Sequence, residues 1–205
     1  MSENQRLYLF DFCGTIYDSN TTLDFLRFLN NKNLFLYKIK FWCLWILAKA
    51  LKDFRVITEH TYTKIRVYSL KGYKKNTIDK FAKEFLLDLE QKEKLNSKIY
   101  RQLEKMYRSG GRVILISFTI QNILDQFLEI KKIDIEAYGS NLAFDSMKKL
   151  TGTYELFLPT FGKVNFLRKK INGNLLEDAF FITDDEIADK DLIEVVREYI
   201  IIESC

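Results

Sequence analysis

The feature that most constrains this chain is an apolar run that stops on an acid. Leu7-Tyr8-Leu9-Phe10 reads as a buried strand, and Asp11 follows it directly. An unpaired carboxylate is costly to bury, so such a strand end must meet water, a cation or a ligand. The pattern recurs. Val113-Ile114-Leu115-Ile116 ends at Ser117, and Ala179-Phe180-Phe181-Ile182 ends at Thr183-Asp184-Asp185. Between these runs the spacing turns helical. Leu23, Leu26 and Leu29, then Ile78, Phe81, Phe85 and Leu89, recur three and four residues apart, so residues 21–103 read as almost wholly helical. Helices are also predicted over 120–130 and 163–171. Residues 134–138 and 141–144 read as two short strands, Gly152 and Pro159 punctuate a loop, and a short helix and a strand over 199–202 close the chain. Strands alternating with helices predict an α/β fold with a parallel sheet. The helical block after the first strand is too long for a simple crossover. It predicts a helical module over residues 19–100, inserted into an α/β core of residues 1–18 and 101–205. Ligands of open parallel sheets bind at the carboxyl ends of the strands, where Asp11, Ser117 and Asp184 fall.

Bulk properties narrow the class. The chain has 205 residues, 47% of them hydrophobic and 29% charged, enough for one sizeable core. Its net charge is +4, with Lys and Arg interspersed among Asp and Glu, so no basic stripe argues for nucleic acid. Cys13, Cys43 and Cys205 form no close-spaced motif and read as reduced thiols of a cytoplasmic protein. The first residues read as the approach to a strand and not as a secretory leader. His60 is the single histidine, which excludes a histidine pair for zinc and reads as a surface or packing residue. The segment 34–51, LFLYKIKFWCLWILAKAL, is apolar nearly all round a helix, but Lys38, Lys40 and Lys49 interrupt it. It is not a transmembrane span. It reads as a buried helix, with an apolar lid or a helix at a membrane surface as alternatives.

Four motifs in order resemble the haloacid dehalogenase (HAD) superfamily, in its phosphoserine-phosphatase-like branch. They are Asp11-Phe12-Cys13-Gly14-Thr15, then Ile116-Ser117-Phe118-Thr119, then Lys163, then Thr183-Asp184-Asp185-Glu186-Ile187-Ala188-Asp189. The resemblance spans nearly the whole chain and implies a Rossmann-like HAD core with a parallel sheet and an inserted all-helical cap. It implies Mg²⁺-dependent hydrolysis of a phosphomonoester through an aspartyl-phosphate. Asp11 would be the nucleophile. Ser117, with Phe118 and Thr119 beside it, would meet the phosphoryl group, and Lys163 would offset its charge. Mg²⁺ would be held by Asp11, the Cys13 backbone carbonyl and Asp184, with Asp185 as second candidate and Asp189 behind them.

One departure matters most. The family's phosphatases place an aspartate two residues after the nucleophile to move protons to and from the leaving group and water. Cys13 occupies that position. The resemblance therefore implies a phosphatase slowed by this residue, with a non-catalytic phosphoester-binding protein as the alternative. The expected partner is a small phosphorylated metabolite, or an apolar or lipid phosphate if 34–51 forms a lid. Asn20 stands where a phosphoserine phosphatase has a glutamate, which argues against phosphoserine. Arg66 resembles the arginine that meets a substrate carboxylate.

Overall fold

The computed structural model describes residues 6–32 and 35–203; Leu34 and Cys205 of the readings above lie outside them. The chain runs β1 (Leu7–Phe10), α1 (Thr21–Lys32), α2 (Phe35–Asp53), α3 (Glu59–Tyr68), α4 (Lys75–Gln91), α5 (Ser97–Arg108), β2 (Arg112–Ile120) and α6 (Gln121–Lys131). It continues with β3 (Glu136–Phe144), β4 (Leu150–Leu156), α7 (Leu158–Phe161), α8 (Lys163–Leu167), α9 (Gly173–Glu177), β5 (Phe180–Thr183), α10 (Lys190–Ile193) and β6 (Glu198–Ile201).

The strands form a sheet in the order β4-β3-β2-β1-β5-β6. β1 lies inside it, paired in parallel with β2 on one side and β5 on the other. All neighbouring pairs are parallel except β3 with β4, which is antiparallel. Here the structure departs from the sequence reading. Residues 136–144 make one strand instead of two, and the stretch around Gly152 is the edge strand β4 instead of a loop. β2 also continues past Ser117 to Ile120, with a break in its register against β3 between Ile116 and Ile120. The helix expected over 163–171 is the shorter α8.

Both faces of the sheet are covered, as its continuous apolar strands require. Leu7 and Leu9 of β1 and Ile114 and Ile116 of β2 pack with Val164, Leu167, Leu176 and Leu192. The other face carries a larger cluster. Phe10, Val113 and Leu115 join Phe25, Leu26 and Leu29 of α1, Ile78, Ala82 and Phe85 of α4, Leu103 of α5 and Phe127 of α6. The helical insertion therefore shares its apolar core with the sheet. α2 packs on α3, and α3 reaches β4. Among the described residues no helix is long and apolar enough to cross a membrane.

Candidate active site

The carboxyl edge of β1, β2 and β5 opens into a cavity of about 520 Å³. Asp11, Cys13, Ser117, Phe118, Thr119, Lys163, Asp184, Asp185 and Asp189 all line it. Residues more than 170 positions apart thus meet because β5 pairs with β1 in parallel register.

Asp11 is buried at the tip of β1, where its N–H donates to the Ile182 carbonyl of β5 (2.9 Å). The chain then turns sharply: Ile16 and Tyr17 N–H both donate to the Phe12 carbonyl. Gly14 makes the turn possible with φ +81°, and a Cβ there would stand 2.0 Å from Asp184 Oδ2. The missing side chain is the space that the Asp184 carboxylate fills. Thr15 Oγ1 donates to Asp184 Oδ1 at 2.8 Å and fixes its orientation.

Lys163 opens α8 and is 1% exposed. Its Nζ donates to Asp11 Oδ1 (2.9 Å) and forms an ion pair with Asp189 Oδ1 (2.6 Å). The Phe118 ring lies 5.0 Å from the ammonium. Burial alone would lower the Lys163 pKa, but the two carboxylates outweigh it and hold the ammonium charged. One cation shared between two buried acids leaves a negative charge over. Burial pushes the Asp11 carboxyl up to about 6 against the pull of Lys163, and Asp189 adds to the rise. Asp184 is also raised, first by burial.

The fourth motif resolves into separate roles. Asp184 is half-buried on the Gly14 turn. Asp185 is exposed, and its Oδ1 accepts from the N–H groups of Ile187 and Ala188, closing the loop it begins. Asp189 is buried, held by Lys163 and by Thr183 Oγ1, which donates to Asp189 Oδ2 (2.6 Å). In the second motif, Ser117 Oγ accepts from the Cys13 N–H (3.4 Å). Thr119 is turned to the helical insertion, where Thr21 Oγ1 donates to its hydroxyl (2.8 Å).

The Cys13 thiol donates to the Ser19 carbonyl (3.3 Å). Burial, then the Asp11 charge, pushes it up to about 12, so the sulfur is a neutral thiol and not a base.

Arg66 is not part of the cavity wall. It is 2% exposed, with its guanidinium 4.0 Å from the Trp45 ring and over Tyr62, and it donates to the Leu23 carbonyl (3.4 Å). The cavity wall instead includes Asp18, Asn20, Glu59, His60, Thr63 and Phe157. Asn20 caps α1, its Oδ1 accepting from the Leu23 N–H (3.1 Å). His60 packs edge-on against the Phe157 ring (5.6 Å between centroids) at the exposed rim of the cavity, in keeping with its reading as a surface or packing residue. Of these, Asn20 had a signal in the sequence, through the resemblance, as did Thr15, inside the first motif. Glu59 and His60 reach the site because α3 starts over it, which no local pattern records.

Among the described residues no group of three or more His, Cys, Asp or Glu side chains is placed to hold a metal ion. The chemistry of the donors still fits Mg²⁺. Asp11 and Asp184 are two hard carboxylates whose burial disfavours their charge, and Mg²⁺ uses one or two carboxylates with water and phosphate oxygens.

A mostly parallel sheet with a helical insertion after its first strand is the fold that this chain shares with solved phosphoserine phosphatases and a HAD family hydrolase. The particular structures it resembles support this. A protein of unknown function from Bordetella pertussis Tohama I matches at TM-score 0.78 and 16% identity, over 96% of this chain and 89% of that one. A phosphoserine phosphatase solved as a phospho-aspartyl intermediate analogue matches at TM-score 0.58 and 17% identity, over 98% and 96%. Cytosolic 5′-nucleotidase IIIB bound to cytidine matches at TM-score 0.62 and 14% identity, over 97% and 72%. No family model matches the sequence, and no curated protein does.

Proposed function

We propose that the protein is a phosphomonoester hydrolase of the HAD type, with residues 19–100 as the cap over a core of 1–18 and 101–205. The observation that carries this reading is the Asp11–Lys163–Asp189 cluster beside Asp184 in one cavity. Asp11 Oδ1 is held by Lys163, which leaves Oδ2 to attack phosphorus. The new bond is an acyl-phosphate, and the bond to the leaving alcohol breaks. Water then attacks the acyl-phosphate, returning the carboxylate and inorganic phosphate. Lys163 neutralises charge on nucleophile and phosphoryl group, Ser117 gives a hydroxyl to a phosphoryl oxygen, and Asp189 keeps Lys163 in place. Mg²⁺, held by Asp11, Asp184 and the Cys13 carbonyl, would supply further neutralisation of the phosphate charge. Asp184 suits this better than Asp185, whose carboxylate is already committed to its own loop.

Cys13 sets the limit. Burial holds Cys13 as a neutral thiol, which cannot take the proton from water as a carboxylate would, so hydrolysis of the acyl-phosphate is the half of the cycle expected to be slow. The same observation favours the second reading, a protein that binds phosphoesters without turning them over. Leu23, Phe118 and Phe157 give the cavity apolar wall, which suits a small metabolite with an apolar part or a lipid phosphate.

The test is hydrolysis of an aryl phosphate with Mg²⁺. Asp11→Asn is expected to abolish it. Cys13→Asp is expected to raise kcat about 100-fold, within the range that general acid–base help supplies. An active Asp11→Asn protein would sink the mechanism. Silence in the native protein with turnover in Cys13→Asp would select the binding reading.

A further inference from the structure

α2 was expected to be buried, yet among its described side chains, from Trp42 onward, one whole face is exposed. Trp42 is 50% exposed, Ile46 61% and Leu47 59%, and the connection to α3 adds Phe54 at 81% and Val56 at 66%. At 100° per residue, Trp42, Cys43, Ile46, Leu47 and Ala50 fall within an arc of about 140°. Ala48, on the opposite side, is buried. Trp45, also turned away from that arc, lies over Arg66. This is a contiguous exposed face on one helix, its Trp42 ring braced edge-on by Trp45 (6.0 Å between centroids), of the kind that marks an interaction surface.

We propose that this face docks the protein on an anionic lipid bilayer, with α2 lying in the plane of the interface. Its charge selects that occupant. From Asn33 to Lys52 there is no Asp or Glu, while Lys38, Lys40, Lys49 and Lys52 punctuate the segment and Arg55 follows it. Lys52 is paired with Glu59, and Asp53 is the one acid at the helix end; the balance remains positive. The face cannot belong to a span, since no described helix is apolar enough to cross. A two-fold pairing of copies would set the same lysines against each other, whereas anionic headgroups neutralise them. Tryptophan with flanking lysines on an apolar face is the composition that settles 5–10 Å into the headgroup boundary. Glu59 and His60, which line the cavity, come three and four residues after Val56, so docking would bring the cavity mouth toward the membrane. The proposal stands independently of the phosphatase reading.

The chain has two tryptophans, both in α2, so its intrinsic fluorescence reports this helix alone. Native protein is mixed with vesicles of phosphatidylglycerol and phosphatidylcholine, and separately with phosphatidylcholine alone. Co-sedimentation with the anionic vesicles and a shift of emission to shorter wavelength are expected, with weaker binding to the neutral ones. Ile46→Ser with Leu47→Ser and Phe54→Ser should reduce partitioning about tenfold or more. These side chains are exposed, so the melting curve should be unchanged; Leu47→Glu alone serves if the triple variant melts early. No binding to anionic vesicles, or equal binding by the variants, overturns the proposal. So does a dimer in light scattering that the variants dissolve without any vesicle binding.

Discussion

Lys163 serves two buried acids, and the arithmetic of charge makes its replacement and theirs unequal. Lys163→Met would leave Asp11 and Asp189 facing each other without a cation. Breaking a buried ion pair in this way costs about 3–5 kcal/mol. Asp189→Asn instead leaves a balanced Lys163–Asp11 pair, and the amide oxygen can still accept from Thr183. Its cost should be well under half as large. Urea unfolding of the two variants measures the difference, and equal losses would mean that the cluster is not charge-limited. Asp11 and Asp184 stood out in the sequence because each comes at the end of an apolar run, and the run marks where the strand ends. The division of labour among the site acids did not. The sequence ranks Asp184 ahead of Asp185 and Asp189, but the Gly14 cradle, the loop N–H groups and Lys163 that hold the three carboxylates apart are not visible in it.

At the scale of elements, the misread strands share a cause. Gly139 lies inside β3, where a Cβ would stand 2.8 Å from the Thr119 carbonyl; the glycine admits a close approach of β2 and does not end the strand. Gly152 in β4, at φ +90°, lies equally close to Tyr68 of α3. Both glycines read as breaks in sequence because the neighbouring chain that demands them is remote. Arg66 is the counterpart among helices. It ties α3 to α1 through the Leu23 carbonyl and to α2 through Trp45. Two of its nitrogens, Nε and Nη1, are buried without a hydrogen-bond partner, and burial lowers its pKa to about 10. The contact with Trp45 is therefore a principal link between α2 and α3. Arg66→Ala is expected to cost about 2 kcal/mol, the worth of a desolvated cation–π pair, and to shift tryptophan emission. Unchanged stability with loss of activity on anionic substrates alone would return Arg66 to a substrate-binding role.

For the whole molecule, the raised Asp11 and Asp184 carboxyls mean that a divalent cation should be felt globally. Mg²⁺ at 100 times its Kd would stabilise the fold by about 2.7 kcal/mol. A rise in Tm with Mg²⁺, reversed by chelator and missing in Asp184→Asn, is the expected result in a thermal melt. No rise in the native protein would remove Mg²⁺ from the site. The apolar cluster that runs from Phe10 through Phe25 and Phe85 to Phe127 reaches further still. An insertion that fills the same core as the sheet cannot be traded as a block. Another protein's helices placed between β1 and α5 would strip Phe10 and Phe127 of their cover. The cavity wall can be altered residue by residue at Glu59, His60 and Thr63 of α3, whereas exchange of the whole insertion would open the core.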